Sequence, residues 1–324
     1  MYKIPTILTS DELLDKLFHK ASKITENQKI KKKVIRKKKM VMAKLSVISD
    51  SFDSTVSKYL TAFPSFDQVH RFEYELINIT IGIDKIRKSL GAIDWARKQI
   101  RNLNSEITKK VSKINSIKDY DLLDRSQNTF YGRVTSILKQ VSSDLEFLNY
   151  ARNQMRKMPT IDPEEVTIVI AGFPNVGKSL VVKQISSAKP MIGIYPFTTK
   201  QLNLGHLIFK HNKVQIIDTP GLLDRSPNER NKIERQAVMA LEHLADLIIF
   251  ILDPTEHCGY SIDDQNKLLT EIEELFGNID TIVIENKADI LKTDSDFLKI
   301  SALTGSGLDE LLGIIESKLY SDEN

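Results

Sequence analysis

The chain has 324 residues, of which 41% are apolar and 27% charged, a composition that excludes a disordered polymer and suits two globular domains. No run approaches the ~20 uninterrupted apolar residues that cross a bilayer, the first twenty residues lack the apolar core of a signal peptide, and the single cysteine, Cys258, has no internal partner for a disulfide. A cytoplasmic monomer is expected, and the net charge of +3 divides into +14 for residues 1–160 (31 Lys and Arg against 17 Asp and Glu) and −11 for residues 161–324 (15 against 26), as in two domains with different partners.

In residues 1–160 glycine occurs only at 82, 91 and 132, and such scarcity favours long helices. Phe72, Leu76, Ile79, Ile83, Ile86, Leu90 and Ile93 follow a three-four alternation that lays one apolar stripe along a helix; Val134, Ile137, Leu138, Val141, Leu145 and Leu148 do the same. Single-stripe helices need partners, so residues 10–158 are expected to form an all-α antiparallel bundle, with Ser10 as the first N-cap. Near its start, Asn27 to Ser49 holds nine basic and no acidic residues, among them Lys31, Lys32, Lys33, Lys37, Lys38 and Lys39. Crowding these charges is unfavourable unless a polyanion neutralises them. Since Ile30, Val34, Val41, Leu45 and Ile48 keep helical spacing through the run, it reads as a basic helix face, suited to RNA phosphates or to an anionic membrane. Trp95 and the tyrosines of this half suit base stacking or an ordinary core.

Past Asp162-Pro163 the pattern becomes short apolar runs rich in β-branched residues, VTIVIAG, VQIIDTPG, ADLIIFILD and DTIVIENKAD, alternating with helical stretches near 178–187, 229–244, 261–276 and 308–319. This is the pattern of an α/β domain with a mainly parallel sheet covered on both faces, whose ligands bind beyond the carboxyl ends of the strands. Every unusual polar motif falls there. Gly172-Phe173-Pro174-Asn175-Val176-Gly177-Lys178-Ser179 matches G-x-x-x-x-G-K-[ST] between a strand and a helix, so its amides and those reaching Leu180 can cradle phosphates, Lys178 reach the β- and γ-phosphates, and Ser179 ligate Mg²⁺. Asp218-Thr219-Pro220-Gly221 follows the adjacent buried strand Val214–Ile217, where Asp218 can hold Mg²⁺ and the Gly221 amide contact a γ-phosphate. Asn286-Lys287-Ala288-Asp289 supplies base reading: a carboxylate at Asp289 accepts from guanine N1–H and N2–H₂ and repels adenine. Lys287 can lie along the base, Asn286 tie this loop to the phosphate loop, and the backbone at Ser301, Ala302 and Leu303 donate to guanine O6. In the segment Tyr195 to Thr199, Thr199 is the expected second Mg²⁺ ligand and γ-phosphate sensor, ahead of Thr198.

GFPNVGKS, YPFTT, DTPGL, NKAD and SAL in this order resemble the Obg class of GTPases. SSAKPMIGIYPFTTK, DTPGLLDRSPNERNKIERQA, DPTEHCGYSIDDQ, IPTILTSDELLDK and SLGAIDWARK look like the Nog-type nucleolar G-protein family within it, over nearly the whole chain. The resemblance implies a helical domain attached to a Ras-like P-loop GTPase domain, GTP/GDP and Mg²⁺ as cofactors, and a switching role in large ribosomal subunit assembly. Its partners would be the subunit precursor, its rRNA and assembly factors, with rRNA preferred over lipid at the basic helix. An end at Asn324, without the long C-terminal extension of the eukaryotic members, implies the short archaeal-type form. Leu222 stands where Ras-type enzymes carry a water-orienting glutamine, so hydrolysis is expected to be slow or assisted. Relatives of this class imply K⁺ at the asparagine aligned with Asn175; the alternative is that Asn175 only braces the loop. An RNA-binding scaffold with structural GTP and a membrane-associated signalling G protein are the other two expectations.

Overall fold

The computed structural model describes residues 2–116, 119–158, 161–162, 164–187, 191–194, 201–209, 212–224 and 232–320. Contacts divide the chain into two compact units, residues 2–68 with 81–156, and residues 69–80 with 157–324.

The first unit is helical: α1 (Ser10–Ser22), α2 (Lys33–Ala62), α4 (Ile83–Ser112), α5 (Tyr120–Gln140) and α6 (Ser142–Lys157). Cross-helix pairs give the directions. Lys20 bonds Ser51 while Leu8, just before α1, bonds Tyr59; Arg101 pairs with Asp53 while Lys38 bonds Asn115; Phe18 stacks on Tyr131 while Ser10 bonds Ser142. In each set, numbers fall along one helix as they rise along the other, so α1 and α4 run antiparallel to α2, and α1 to α5. The expected antiparallel bundle is what the structure contains. Its core is apolar side chains at helical spacing, Val41, Leu45, Ile48, Phe52 and Val56 of α2 against Ile86, Ile93, Ala96 and Ile100 of α4, all buried.

Three expectations need correction. The N-cap of α1 is Thr9: its Oγ1 accepts from Glu12 N and Glu12 Oε2 accepts from Thr9 N, a reciprocal capping box, while Ser10 lies inside the first turn, buried against Ser142. The stripe from Phe72 to Ile93 is cut in two. Helix α3 (Arg71–Thr80) ends before Gly82, whose φ of 89° and ψ of 102° lie outside the helical region, and α4 begins at Ile83. The domain boundary near residue 160 therefore omits an excursion: α3, drawn from the helical half, packs with α8 (Lys232–Glu242) in the second unit.

The second unit is built on a seven-stranded sheet in the order β2-β3-β4-β1-β5-β6-β7, with β1 (Thr167–Ala171), β2 (Met191–Ile194), β3 (Gln201–Phe209), β4 (Asn212–Asp218), β5 (Leu247–Leu252), β6 (Asp280–Glu285) and β7 (Leu298–Lys299). The pairs β1–β4, β1–β5, β5–β6 and β6–β7 are parallel, and β2–β3 and β3–β4 antiparallel. Every residue of β1 and β5 is buried, as strands covered on both faces must be. Helices α7 (Lys178–Ile185), α9 (Ile262–Leu275) and α10 (Leu308–Tyr320) complete the alternation, and the α/β domain with a mainly parallel sheet, preceded by helices, stands as expected.

Candidate nucleotide site

Parallel pairing aligns the carboxyl ends of β1, β4, β5 and β6, so the loops that follow them share one edge of the sheet. The loop after β1 turns tightly through Gly172, Asn175 (φ 65°) and Gly177 (φ 106°) into the N-terminus of α7. Glycine at 177 is required twice over, because a Cβ there would come within 2.2 Å of Asn286 Nδ2. The close approach has a purpose: Asn286 Nδ2 donates to Val176 O at 2.8 Å, and Asn286 Oδ1 accepts from Ala302 N at 2.9 Å. One buried amide thus joins the loops after β1, β6 and β7. Gln184 of α7 adds a bond to Ala302 O.

Lys178 is buried, its ammonium donating to Gly172 O and Phe173 O at 2.7 Å each. Pro174, Asn175, Gly177, Lys178, Ser179 and Leu180 line one side of an open cleft, with Pro220 and Asp224 opposite. The Phe173 ring turns away from it to stack on Tyr260, centroids 4.0 Å apart. Ser179 Oγ donates to Asp218 Oδ2 across the cleft floor. Asp218 is fully buried, and its Oδ1 has no hydrogen-bond partner among the described residues. A buried carboxylate oxygen without a donor is costly, and beside a serine hydroxyl it is the donor set of a hard divalent cation: Ser179 and Asp218 fit Mg²⁺.

Asp289, exposed at the sheet edge, accepts from Ser301 Oγ at 2.5 Å through Oδ1, which leaves its other oxygen for a ligand. Lys287 takes a left-handed backbone (φ 66°) and pairs with the fully buried Asp253 at 2.5 Å. Burial would push the Asp253 carboxyl up; the bonds from Lys287 and Thr255 outweigh it and hold the group below the usual carboxylate range. Leu303 is 73% exposed and Leu222 1%, so Leu222 fills core and offers nothing to a water molecule. Tyr195, Phe197, Thr198 and Thr199 lie outside the described residues.

Three participants escaped the sequence reading. Asn203 of β3 is paired in register with Asp218 and donates to Asp218 Oδ2 at 3.0 Å, with Ser179 Oγ 3.4 Å away. Asp224 accepts from Gly221 N at 2.8 Å. Asp253, within DPTEHCGYS, positions Lys287; its backbone is held by Gln265, which also reaches Tyr260 O. Asp253 and Asp224 lay inside the family signatures DPTEHCGYSIDDQ and DTPGLLDRSPNERNKIERQA without being singled out, and Asn203 carried no signal. Cys258 is buried in the same loop, and burial pushes its thiol up, as in a cysteine that packs in a core.

The six candidate lysines of the basic run separate into two groups. Lys31, Lys32, Lys33 and Lys39 are exposed, Lys33 standing 5.2 Å from the Tyr120 ring centroid. Lys37 is engaged with Asp124 at 2.7 Å, a hydrogen bond that raises its ammonium above the usual range, and Lys38 donates to Ser112 O and Asn115 Oδ1 at the end of α4. These two are committed to the bundle, because α2 packs directly on α4 and α5.

Among known proteins, the NOG1 N-terminal helical domain family matches residues 1–162 and the Nucleolar GTP-binding protein 1 (NOG1) family residues 232–289. Uncharacterized protein MJ1408 of Methanocaldococcus jannaschii is 38% identical over 89% of this chain and 81% of its own. Nucleolar GTP-binding protein 1 of Drosophila melanogaster is 35% identical over 90% of this chain, which spans only 42% of that relative. A solved structure ascribed to nucleolar GTP-binding protein 1 of Plasmodium falciparum is 35% identical, covers 51% of this chain and 92% of its own, and superposes with a TM-score of 0.45. With one domain family matching residues 1–162 and a relative 38% identical across most of its own length, the chain belongs to the NOG1 family of nucleolar GTP-binding proteins.

Proposed function

We propose that this chain binds GTP and GDP with Mg²⁺ between the loops after β1, β4, β6 and β7, hydrolyses GTP slowly, and acts as a switch in large ribosomal subunit assembly. The observation that carries the nucleotide reading is the convergence on one sheet edge of Lys178, the Ser179–Asp218 pair and Asp289, locked together by the bridging amide of Asn286. Amides at the N-terminus of α7 and the Lys178 ammonium meet the phosphates. Ser179 and Asp218 hold Mg²⁺, which when bound neutralises phosphate charge. Asn175, turning the loop at φ 65°, is the residue beside which a K⁺ ion belongs in this reading. Slow turnover follows from Leu222, which cannot orient water. The ribosomal part rests on family membership and on the exposed lysines of α2 and the turn before it, which suit rRNA phosphates.

Base reading gives the direct test. Asp289→Asn replaces an acceptor by an amide that donates to the 2-oxo group of xanthine, so competition of xanthosine and guanosine nucleotides for a fluorescent analogue should invert in favour of xanthosine. A variant that still prefers GTP overturns the role of Asp289.

A further inference from the structure

We infer that Asp224 sets the preference of this site between nucleoside diphosphate and triphosphate. The inference rests on the guanine-nucleotide reading above and goes beyond it to a residue outside the four motifs. Asp224 is 4% exposed, yet it lines the phosphate cleft with Pro220, facing Lys178 and Ser179. Its Oδ2 accepts from the Gly221 amide at 2.8 Å. In the guanine-nucleotide reading that amide is the donor for a γ-phosphate: Pro220 has no N–H, and the Leu222 and Leu223 amides already donate to Thr219 O.

A single N–H cannot serve two anions. A diphosphate is held by the loop after β1 and by Lys178 and leaves the Gly221–Asp224 bond intact. A triphosphate brings a third phosphoryl group to the same amide and next to a carboxylate that burial deprives of water, so the bond must break and the side chain must leave. Asp224 therefore opposes the γ-phosphate selectively. It closes the turn on Gly221 when the terminal phosphate is absent and is displaced when it is present, making the turn after β4 a reporter of the nucleotide state.

Two substitutions separate charge from hydrogen bonding. Asp224→Asn keeps the size and an oxygen that accepts from Gly221 but removes the negative charge; Asp224→Ala removes both. Affinities for GDP and for a non-hydrolysable GTP analogue, measured by competition in Mg²⁺, should give a triphosphate-to-diphosphate affinity ratio about tenfold above wild type for Asp224→Asn, and higher still for Asp224→Ala. A ratio within twofold of wild type in both variants, or one that falls, overturns the inference while leaving the nucleotide site standing. A wild-type chain that binds neither nucleotide overturns the site itself and the inference with it.

Discussion

Asp218 is buried, and two donors, Ser179 Oγ and Asn203 Nδ2, meet on its Oδ2 while Oδ1 has no partner among the described residues. By donating to Asp218 Oδ2 at 3.0 Å and to Ser179 Oγ at 3.4 Å, Asn203 holds the serine–carboxylate pair in place and leaves one serine lone pair for the cation. Asn203→Ala should raise the Mg²⁺ concentration that half-saturates the stimulation of nucleotide binding about tenfold, in line with loss of a hydrogen bond to a charged group. Affinity in EDTA is the control: an equal loss with and without Mg²⁺ would reduce Asn203 to a packing residue. The contrast between Asp218 and Asn203 shows what was legible at this scale. Asp218, Lys178, Asn286 and Asp289 sit in motifs at strand ends, so their residue types marked them as candidates in the sequence, and the structure brings them to one sheet edge. Asn203 takes its role from cross-strand register and leaves no pattern in the chain, and Asp224, though inside DTPGLLDRSPNERNKIERQA, takes its role from a three-residue turn that the signature does not disclose.

Helices and strands were legible in proportion to how much of their environment is local. The capping box at Thr9 was in plain view, since Thr9-Ser10-Asp11-Glu12 fits the reciprocal spacing and Ser10, followed three residues later by Leu13, does not. The buried strands β1, β4, β5 and β6 announced themselves as apolar runs; β3 did not, because QLNLGHLIF mixes polar and apolar residues as an antiparallel strand does, and β2 did not, because MIGI is only four residues long. The break between α3 and α4 is the instructive miss. Apolar spacing runs unbroken through Ile79, Ile83 and Ile86, so periodicity votes for one helix, and Gly82 alone dissents. Its φ of 89° with ψ of 102° is a region closed to side chains, and a Cβ built there meets only Lys85 Cβ at 4.0 Å. The conflict is one of backbone strain and not of space. Gly82→Ala should therefore destabilise the protein by about 1–3 kcal/mol, read from the denaturant midpoint of unfolding followed by helical circular dichroism; a midpoint equal to wild type would mean that the turn relaxes freely.

Across the whole molecule, the opposition of charge between residues 1–160 and 161–324 foretold two bodies but not where the chain passes between them, because α3 carries the composition of the helical half and the contacts of the other. The same opposition concentrates cation on one unit, and there the structure sharpens what charge counting could not. Reversing all six candidate lysines would include Lys37→Glu, which sets a second carboxylate against Asp124, and would strip the bond from Lys38 to Ser112 O, so lost RNA binding would be confounded with a weakened bundle. Reversal of Lys31, Lys32, Lys33 and Lys39 alone removes four exposed charges and spares the Lys37–Asp124 pair and the Lys38 bonds that tie α2 to its neighbours. If all four contact rRNA phosphates, the slope of log affinity against log salt should flatten by about 3, at ~0.7–0.9 per contact, with the thermal midpoint and GTP affinity held. Sedimentation of the variant with large subunits over a salt series reads the slope directly. An unchanged slope would return this run to an ordinary solvated face and move the RNA contact elsewhere on the molecule.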